Sequence, residues 1–232
     1  MDLAIGTWHI SIRRFPLSDA ELAAMYDDAA RAWTTKLTHG GYAQAYADLF
    51  ARLPVSERLD YLQDGGRVLD CGIGSGALSL ALTESVGTQL RLDGVDIAPR
   101  MLREASEALR QAGVQAQMHH HDARDDLPFA DATFDLVMSA HLLEHLADPR
   151  AALGEMARVL RPGAPLVAVV TGRGVRDNLL RLKWRYSSIR PARLAHWIEE
   201  AGLTKVRTYE VVGRAGAAPH WLGIACVGLK GI

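Results

Sequence analysis

The sequence is poor in three things: net charge, cysteine and long apolar runs. Each shortage removes a class of function. Twenty-six Lys and Arg stand against 27 Asp and Glu, a formal net charge of -1 over 232 residues. No global field draws a polyanion, so DNA or RNA is not the expected substrate. The two cysteines, Cys71 and Cys226, lack metal-ligand spacing and lie in apolar segments. They read as small core residues of a reducing compartment. No stretch reaches the ~18 consecutive apolar residues of a membrane span, and Met1 to Trp8 has neither the basic start nor the apolar core of a leader. The expectation is a cytoplasmic chain. With 49% hydrophobic and 23% charged residues it has material for one sizeable core.

What the sequence does have is the stretch Arg67-Val68-Leu69-Asp70-Cys71-Gly72-Ile73-Gly74-Ser75-Gly76-Ala77. An apolar run ends in a carboxylate, three glycines follow at alternate positions, and helical periodicity resumes at Leu78, Leu80 and Leu82. That pattern is strand, tight loop, helix, with a backbone that a ligand can approach closely. Gly72, Gly74 and Ala77 also satisfy the dinucleotide pattern, so the glycines alone admit two cofactor classes. Asp70 separates them: its charge opposes a pyrophosphate at the helix N-terminus. A ligand with an ammonium group and no phosphate, such as S-adenosylmethionine (SAM), avoids that conflict.

Residues 1–64 read as a helical N-terminal extension or lid, with Ser18-Asp19-Ala20-Glu21 as a capping box and the aromatics Tyr26, Trp33, Tyr42 and Tyr46 packing on the sheet or lining the lid. Residues 65–232 alternate strand and helix, which argues an α/β domain, a parallel sheet covered on both faces. Strands are expected over 67–71, 90–95, 114–118, 133–139 and 166–170, and two more over 205–212 and 221–229. Pro99 and Pro149 open helices; Gly113 and Arg161-Pro162-Gly163 close them.

Asp96, at the end of the second strand, sits where a nucleotide-binding half-sheet places an acid for ribose hydroxyls. Asp122, with Ala123 after it, ends the third and can accept from an exocyclic amine. The glycine loop, Gly94-Val95-Asp96-Ile97-Ala98-Pro99-Arg100-Met101-Leu102, Phe134-Asp135-Leu136-Val137 and Val159-Leu160-Arg161-Pro162-Gly163 together resemble the motif order of class I SAM-dependent methyltransferases. The resemblance is to the small-molecule, ubiquinone/menaquinone-biosynthesis-like branch and covers about 67–229. It implies a Rossmann-like, doubly wound, seven-stranded sheet, mostly parallel with an antiparallel last strand. It also implies that Gly72, Gly74 and Gly76 contact the amino-acid part of SAM, with Asp70 near its ammonium. Asp96 would take the ribose, Ile97 would pack on adenine, and Asp122 with Ala123 would border the adenine amine.

The acceptor side is less constrained. His141, in Ser139-Ala140-His141-Leu142-Leu143-Glu144-His145, follows the fourth strand and is the candidate general base; the alternative is a wall residue. Tyr26, Trp33, Tyr42, His145, Arg173 and Trp184 are the candidate acceptor contacts. The Asn-Pro-Pro-Tyr type signature of many base and glutamine N-methyltransferases is absent. His119, His120 and His121 cannot converge on one metal ion from an extended strand, and no metal is expected. Arg173 to Arg193 carries seven basic residues against Asp177 alone. It reads either as a solvated basic helix or as a cap for an anionic or amphipathic acceptor or an anionic membrane surface. The expected activity is methyl transfer to a small molecule, leaving S-adenosylhomocysteine. The alternatives are an NAD(P)-dependent oxidoreductase and a non-catalytic SAM-binding protein.

Overall fold

The computed structural model describes residues 2–5, 8–11, 41–53, 62, 64–171, 188–215 and 218–231, with side chains left aside over 2–11 and 214–221. The first residues depart from the expected helical extension. β1 (Asp2–Ile5) and β2 (Trp8–Ser11) pair antiparallel as a separate two-stranded sheet. A run this short has no room for helical periodicity, and it alternates apolar and polar residues too briefly to be legible as strand. Further on, α1 (Tyr42–Arg52) buries Tyr42, Ala45, Tyr46, Leu49 and Phe50, an i, i+3, i+4 stripe. Arg52 ties it to the main sheet by donating to the Glu210 carbonyl at 2.8 Å.

The rest is a seven-stranded Rossmann-like sheet. Its elements are β3 (Arg67–Cys71), α2 (Ala77–Val86), β4 (Arg91–Asp96), α3 (Pro99–Gln111), β5 (Gln115–His120), β6 (Leu136–Ala140), α4 (Pro149–Val159), β7 (Pro165–Thr171), α5 (Pro191–Glu200), β8 (Leu203–Ala215) and β9 (Ala218–Lys230). In space the order is β5-β4-β3-β6-β7-β9-β8. The first five run parallel, and β9 pairs antiparallel with both β7 and β8. Only Gly216 and Ala217 separate β8 from β9, the short link an antiparallel pair allows.

Burial on both faces explains why β3, β6 and β7 are near-continuous apolar runs. Val68, Leu92, Leu136, Met138, Val167 and Val169 face α1, α2 and α3. Their neighbours Leu69, Val137, Leu166, Ala168 and Val170, with both cysteines, pack with α4 and α5 on the other side. Helix boundaries follow the punctuation: Pro99 and Pro149 occupy the first turns, Asp148 accepts the Arg150 N–H at 3.2 Å, and Gly113 closes α3 with φ 75°.

The strands after β3 differ from their expected bounds by one to three residues at each end, and two of these differences have a visible cause. β5 continues through His119 and His120, which are paired with β4. β6 begins at Leu136, because Thr133 and Phe134 turn to hydrogen-bond Val159 and touch β6's neighbourhood by a single bridge to Leu160. The strand order reverses at β3, whose neighbours β4 and β6 lead the chain in opposite directions, and a crevice opens there at the carboxyl ends.

Gly94 links sheet and crevice. A methyl there would lie 2.6 Å from Ile73 Cδ1 and 3.1 Å from Met118 Sδ. Gly94→Ala is therefore expected to lower stability by about 1–3 kcal/mol through overpacking and to push Ile73 out of place. Urea denaturation measures the first effect, and an unchanged midpoint would show that the strand yields freely.

Candidate active site

The loop after β3 is stitched to the end of β4 by backbone and carboxylate together. Gly72 and Ile73 N–H groups donate to the Val95 carbonyl at 2.8 and 3.0 Å. Gly74 N–H donates to Asp96 Oδ2 at 2.8 Å and Ala98 N–H to Asp96 Oδ1 at 2.9 Å. Gly72 and Gly74 have φ of 70° and 54°, the left-handed region where a Cβ is unfavourable. A Cβ on Gly72 would sit 3.0 Å from Leu142 Cβ, so the loops after β3 and β6 meet at this glycine. The Cβ direction of Gly74 instead opens on empty space, with no atom within 4 Å.

That space is an open cleft. Its lining includes Asp70, Gly72, Gly74, Asp96, Ile97, Asp122, Ala123, His141 and His145 from the sequence-based set. Tyr46, Ile73, Met101, Leu142 and Leu146 add apolar and aromatic walls. Gly76 stands apart: it caps α2 with φ 84° and its Cβ direction meets Ala105 at 3.4 Å, so it packs helix against helix. Tyr26, Trp33, Arg173 and Trp184 lie outside the described residues, as does most of the basic 173–193 segment.

Three carboxylates line the cleft, and Arg124 is the only Arg or Lys that does so among the described residues. Asp70 is 1% exposed and accepts from Ser79 Oγ at 2.6 Å. Burial lifts its carboxyl to about 7; Ser79 pulls against that rise and the Asp96 charge adds to it. Asp122 is gripped by Arg124, through the backbone N–H and the guanidinium Nε and terminal nitrogen. That guanidinium holds the Asp122 carboxyl below its ordinary range. The histidine triplet disperses: His119 reaches Asp93 at 2.8 Å, His120 the Ile97 carbonyl at 3.0 Å and His121 the Asp126 carbonyl at 3.1 Å.

At the opposite wall the β6 exit bends sharply. His141 has φ 58°, a left-handed backbone that costs a non-glycine residue about 1–2 kcal/mol. Its ring is fixed from two sides, Nδ1 lying 3.0 Å from Thr171 Oγ1 and Nε2 3.0 Å from Tyr46 Oη. Tyr42 meets the ring edge-on at 5.9 Å. Glu144, 2% exposed, accepts the Thr171 N–H on both oxygens and has one of them 3.7 Å from His141 Nδ1. Burial would raise the Glu144 carboxyl, but hydrogen bonding and charge from His141, Thr171 and His145 hold it below the ordinary carboxylate range.

Tyr46 is expected from the sequence only as a packing or lid aromatic, and Glu144 and Thr171 are not expected as site residues. Tyr46 was visible as the i+4 neighbour of Tyr42, and Glu144 as an acid inside an apolar turn three residues after His141. Thr171 carries no local signal, since only the pairing of β7 with β6 brings it near.

The methyltransferase-domain family matches residues 68–163, which hold the glycine loop, Asp96, Asp122 and His141. Over that stretch, about two fifths of the chain, the sequence is similar to a methyltransferase domain. The ubiquinone biosynthesis O-methyltransferase of Xylella fastidiosa (strain 9a5c) is 33% identical over 165 residues, 63% of this chain and 66% of that protein. The ubiquinone/menaquinone biosynthesis C-methyltransferase UbiE of Vibrio campbellii is 34% identical over 124 residues, 53% of this chain and 48% of that one. The chain thus spans just under two thirds of the length of the first relative and about half of the second. A Thermotoga maritima SAM-dependent methyltransferase, described as a possible histamine N-methyltransferase, superposes with a TM-score of 0.68 over 90% of this chain and 99% of its own, at 18% identity. At that identity the likeness concerns the fold. SAM, the donor that the sequence resemblance implies, would bring cationic groups to a wall of carboxylates and no phosphate, and Gly74 leaves room above the loop.

Two buried groups give this wall opposite pH responses. Asp70, raised to about 7, favours the folded state most below its unfolded value near 4 and loses that contribution as pH rises to about 7. His145, pushed down to about 4 by burial, contributes stability above about 6.5 that is lost as pH falls. Asp70→Asn removes the first response and keeps the second. The urea midpoint of Asp70→Asn relative to the unsubstituted protein is expected to rise between about pH 5 and pH 8; a difference independent of pH would contradict the assignment.

Proposed function

We propose that this chain transfers the methyl group of SAM to a small-molecule acceptor, leaving S-adenosylhomocysteine. The observation that carries the reading is the clasp of the glycine loop on Asp96, with Gly74 opening into a cleft walled by Asp70, Asp96 and Asp122. In this reading the loop backbone at Gly72 and Gly74 cradles the amino-acid part of the donor and Asp70 lies near its ammonium. Asp96 keeps its two backbone donors, and a carboxylate has about four acceptor positions, enough to take ribose hydroxyls as well. Ile97 and Met101 offer apolar surface to the adenine, with Asp122 and Ala123 at its edge.

When bound, SAM supplies a methyl carbon already activated by a positive sulfur. The protein's part is then mainly alignment, for which positioning alone supplies about 7–11 kcal/mol of such a barrier. Leu142, His145 and Leu146 line the cleft, and in this reading their apolar surface would keep water from the acceptor. The curated relatives are named for ubiquinone and menaquinone biosynthesis, which favours a small aromatic acceptor over a macromolecule. The near-zero net charge points the same way.

Calorimetry against SAM, S-adenosylhomocysteine and NAD tests this reading. Binding of the first two without NAD is the expected result, and tight NAD binding without SAM would replace it with an oxidoreductase. Asp96→Ala is expected to weaken SAM binding more than tenfold, because it removes the ribose acceptor and releases the loop; an unchanged dissociation constant would remove the ribose assignment.

A further inference from the structure

His141 has no ring nitrogen left for an acceptor. Nδ1 faces Thr171 Oγ1 and the Glu144 carboxylate, and Nε2 faces Tyr46 Oη. A base that took the acceptor's proton directly would have to break the Tyr46 contact. The Tyr46 oxygen has a further lone pair, and the residue lines the same cleft. Glu144 beside Nδ1 favours the imidazole tautomer with the proton on that nitrogen, which leaves Nε2 as the acceptor and Tyr46 O–H as the donor. Among the described residues the ring is faced by Tyr42 and Tyr46 from α1, Glu144 from the turn after β6 and Thr171 from β7.

We propose that Tyr46 Oη is the point where an acceptor hydroxyl hands its proton to the protein, that His141 Nε2 receives the proton Tyr46 gives up, and that Glu144 is a positioning residue that fixes the imidazole for this task. The inference rests on the methyltransferase reading above and narrows the acceptor to one whose attacking atom is a protonated oxygen. The atoms balance. The acceptor oxygen bonds the methyl carbon while the carbon–sulfur bond breaks, its electron pair going to sulfur. The hydroxyl proton moves to Tyr46 Oη as the Tyr46 proton moves to Nε2. Tyr46 ends as a neutral phenol, as its buried setting requires, since burial raises its phenol well above the ordinary value. The imidazolium is balanced by Glu144 and returns its proton to water. The left-handed backbone at His141 fits this assignment, because strain at a non-glycine residue persists where the surroundings hold it for a use.

Two readouts on the full chain test the proposal. Nitrogen-15 spectra of the histidine rings, without any ligand, should show His141 protonated on Nδ1 and bare on Nε2. Tyr46→Phe should move the Nε2 resonance and keep the tautomer, and Glu144→Gln should redistribute it. A proton on Nε2 in the unsubstituted protein, or no Nε2 change in Tyr46→Phe, overturns the relay. The second readout is turnover with radiolabelled SAM on catechol, thiophenol and N,N-dimethylaniline, which offer a hydroxyl, an ionised sulfur and an amine without a proton. Methylation of catechol is expected, with kcat about 100-fold lower in Tyr46→Phe and KM changed less than threefold. A protein that binds SAM but spares catechol, or a loss carried by KM, overturns the proposal, whereas absence of SAM binding overturns the methyltransferase reading instead. Should Glu144→Gln fail to fold, Tyr46→Phe, which removes one oxygen, decides alone.

Discussion

The clasp between the loop after β3 and the end of β4 is the constraint on which the site depends. Four hydrogen bonds converge there, two on the Val95 carbonyl and two on the Asp96 carboxylate. A glycine-rich loop is entropically costly to order, and here its order comes from a strand end that the sheet already fixes. The same acid that holds the loop lines the cleft, so binding geometry and loop geometry are coupled through one side chain. Gly72 extends the coupling to the other wall, because its missing Cβ lets Leu142 approach and brings the β6 exit within reach of the donor site.

That second wall has a different logic. Four of its polar residues form a connected chain: Glu144 accepts the Thr171 N–H, the Thr171 hydroxyl meets the His141 ring, and Tyr46 closes the chain. Networks of this kind are rigid when complete and costly when broken. The N-terminal segment enters here as a contributor to the cleft: α1 packs on α2 and β8 and delivers Tyr46 to the His141 ring. The donor side is built from backbone and carboxylates at a topological switch point, while the acceptor side is built from side chains that arrive from α1, β7 and the turn after β6.

This difference explains what was legible in the sequence. Strands β3, β6 and β7 announce themselves as apolar runs because both faces are covered, and Pro99, Pro149 and Gly113 mark helix ends by local chemistry. Asp70, Asp96 and the glycines are contiguous with those signals, so spacing and the family resemblance together mark the wall proposed to hold the donor. The His141 network could not be read this way, since Tyr46 and Thr171 are 95 and 30 residues away from it and meet it only in the folded chain. Gly76 matched the motif yet serves α2 against α3, because spacing records that a glycine is needed without saying whether a ligand or a helix is the neighbour. The opening hairpin was illegible for lack of length: four-residue strands leave too little alternation to detect.

A donor seated on the preformed clasp adds contacts at Asp96 and at the loop that Gly72 holds against Leu142, so binding further steadies both walls of the cleft. Amide hydrogen exchange with and without S-adenosylhomocysteine tests it most directly. Slower exchange across residues 72–76, 96–98 and 121–124, extending to 141–145, is the predicted result. Protection confined to other parts of the sheet, or none at saturating ligand, would contradict the account.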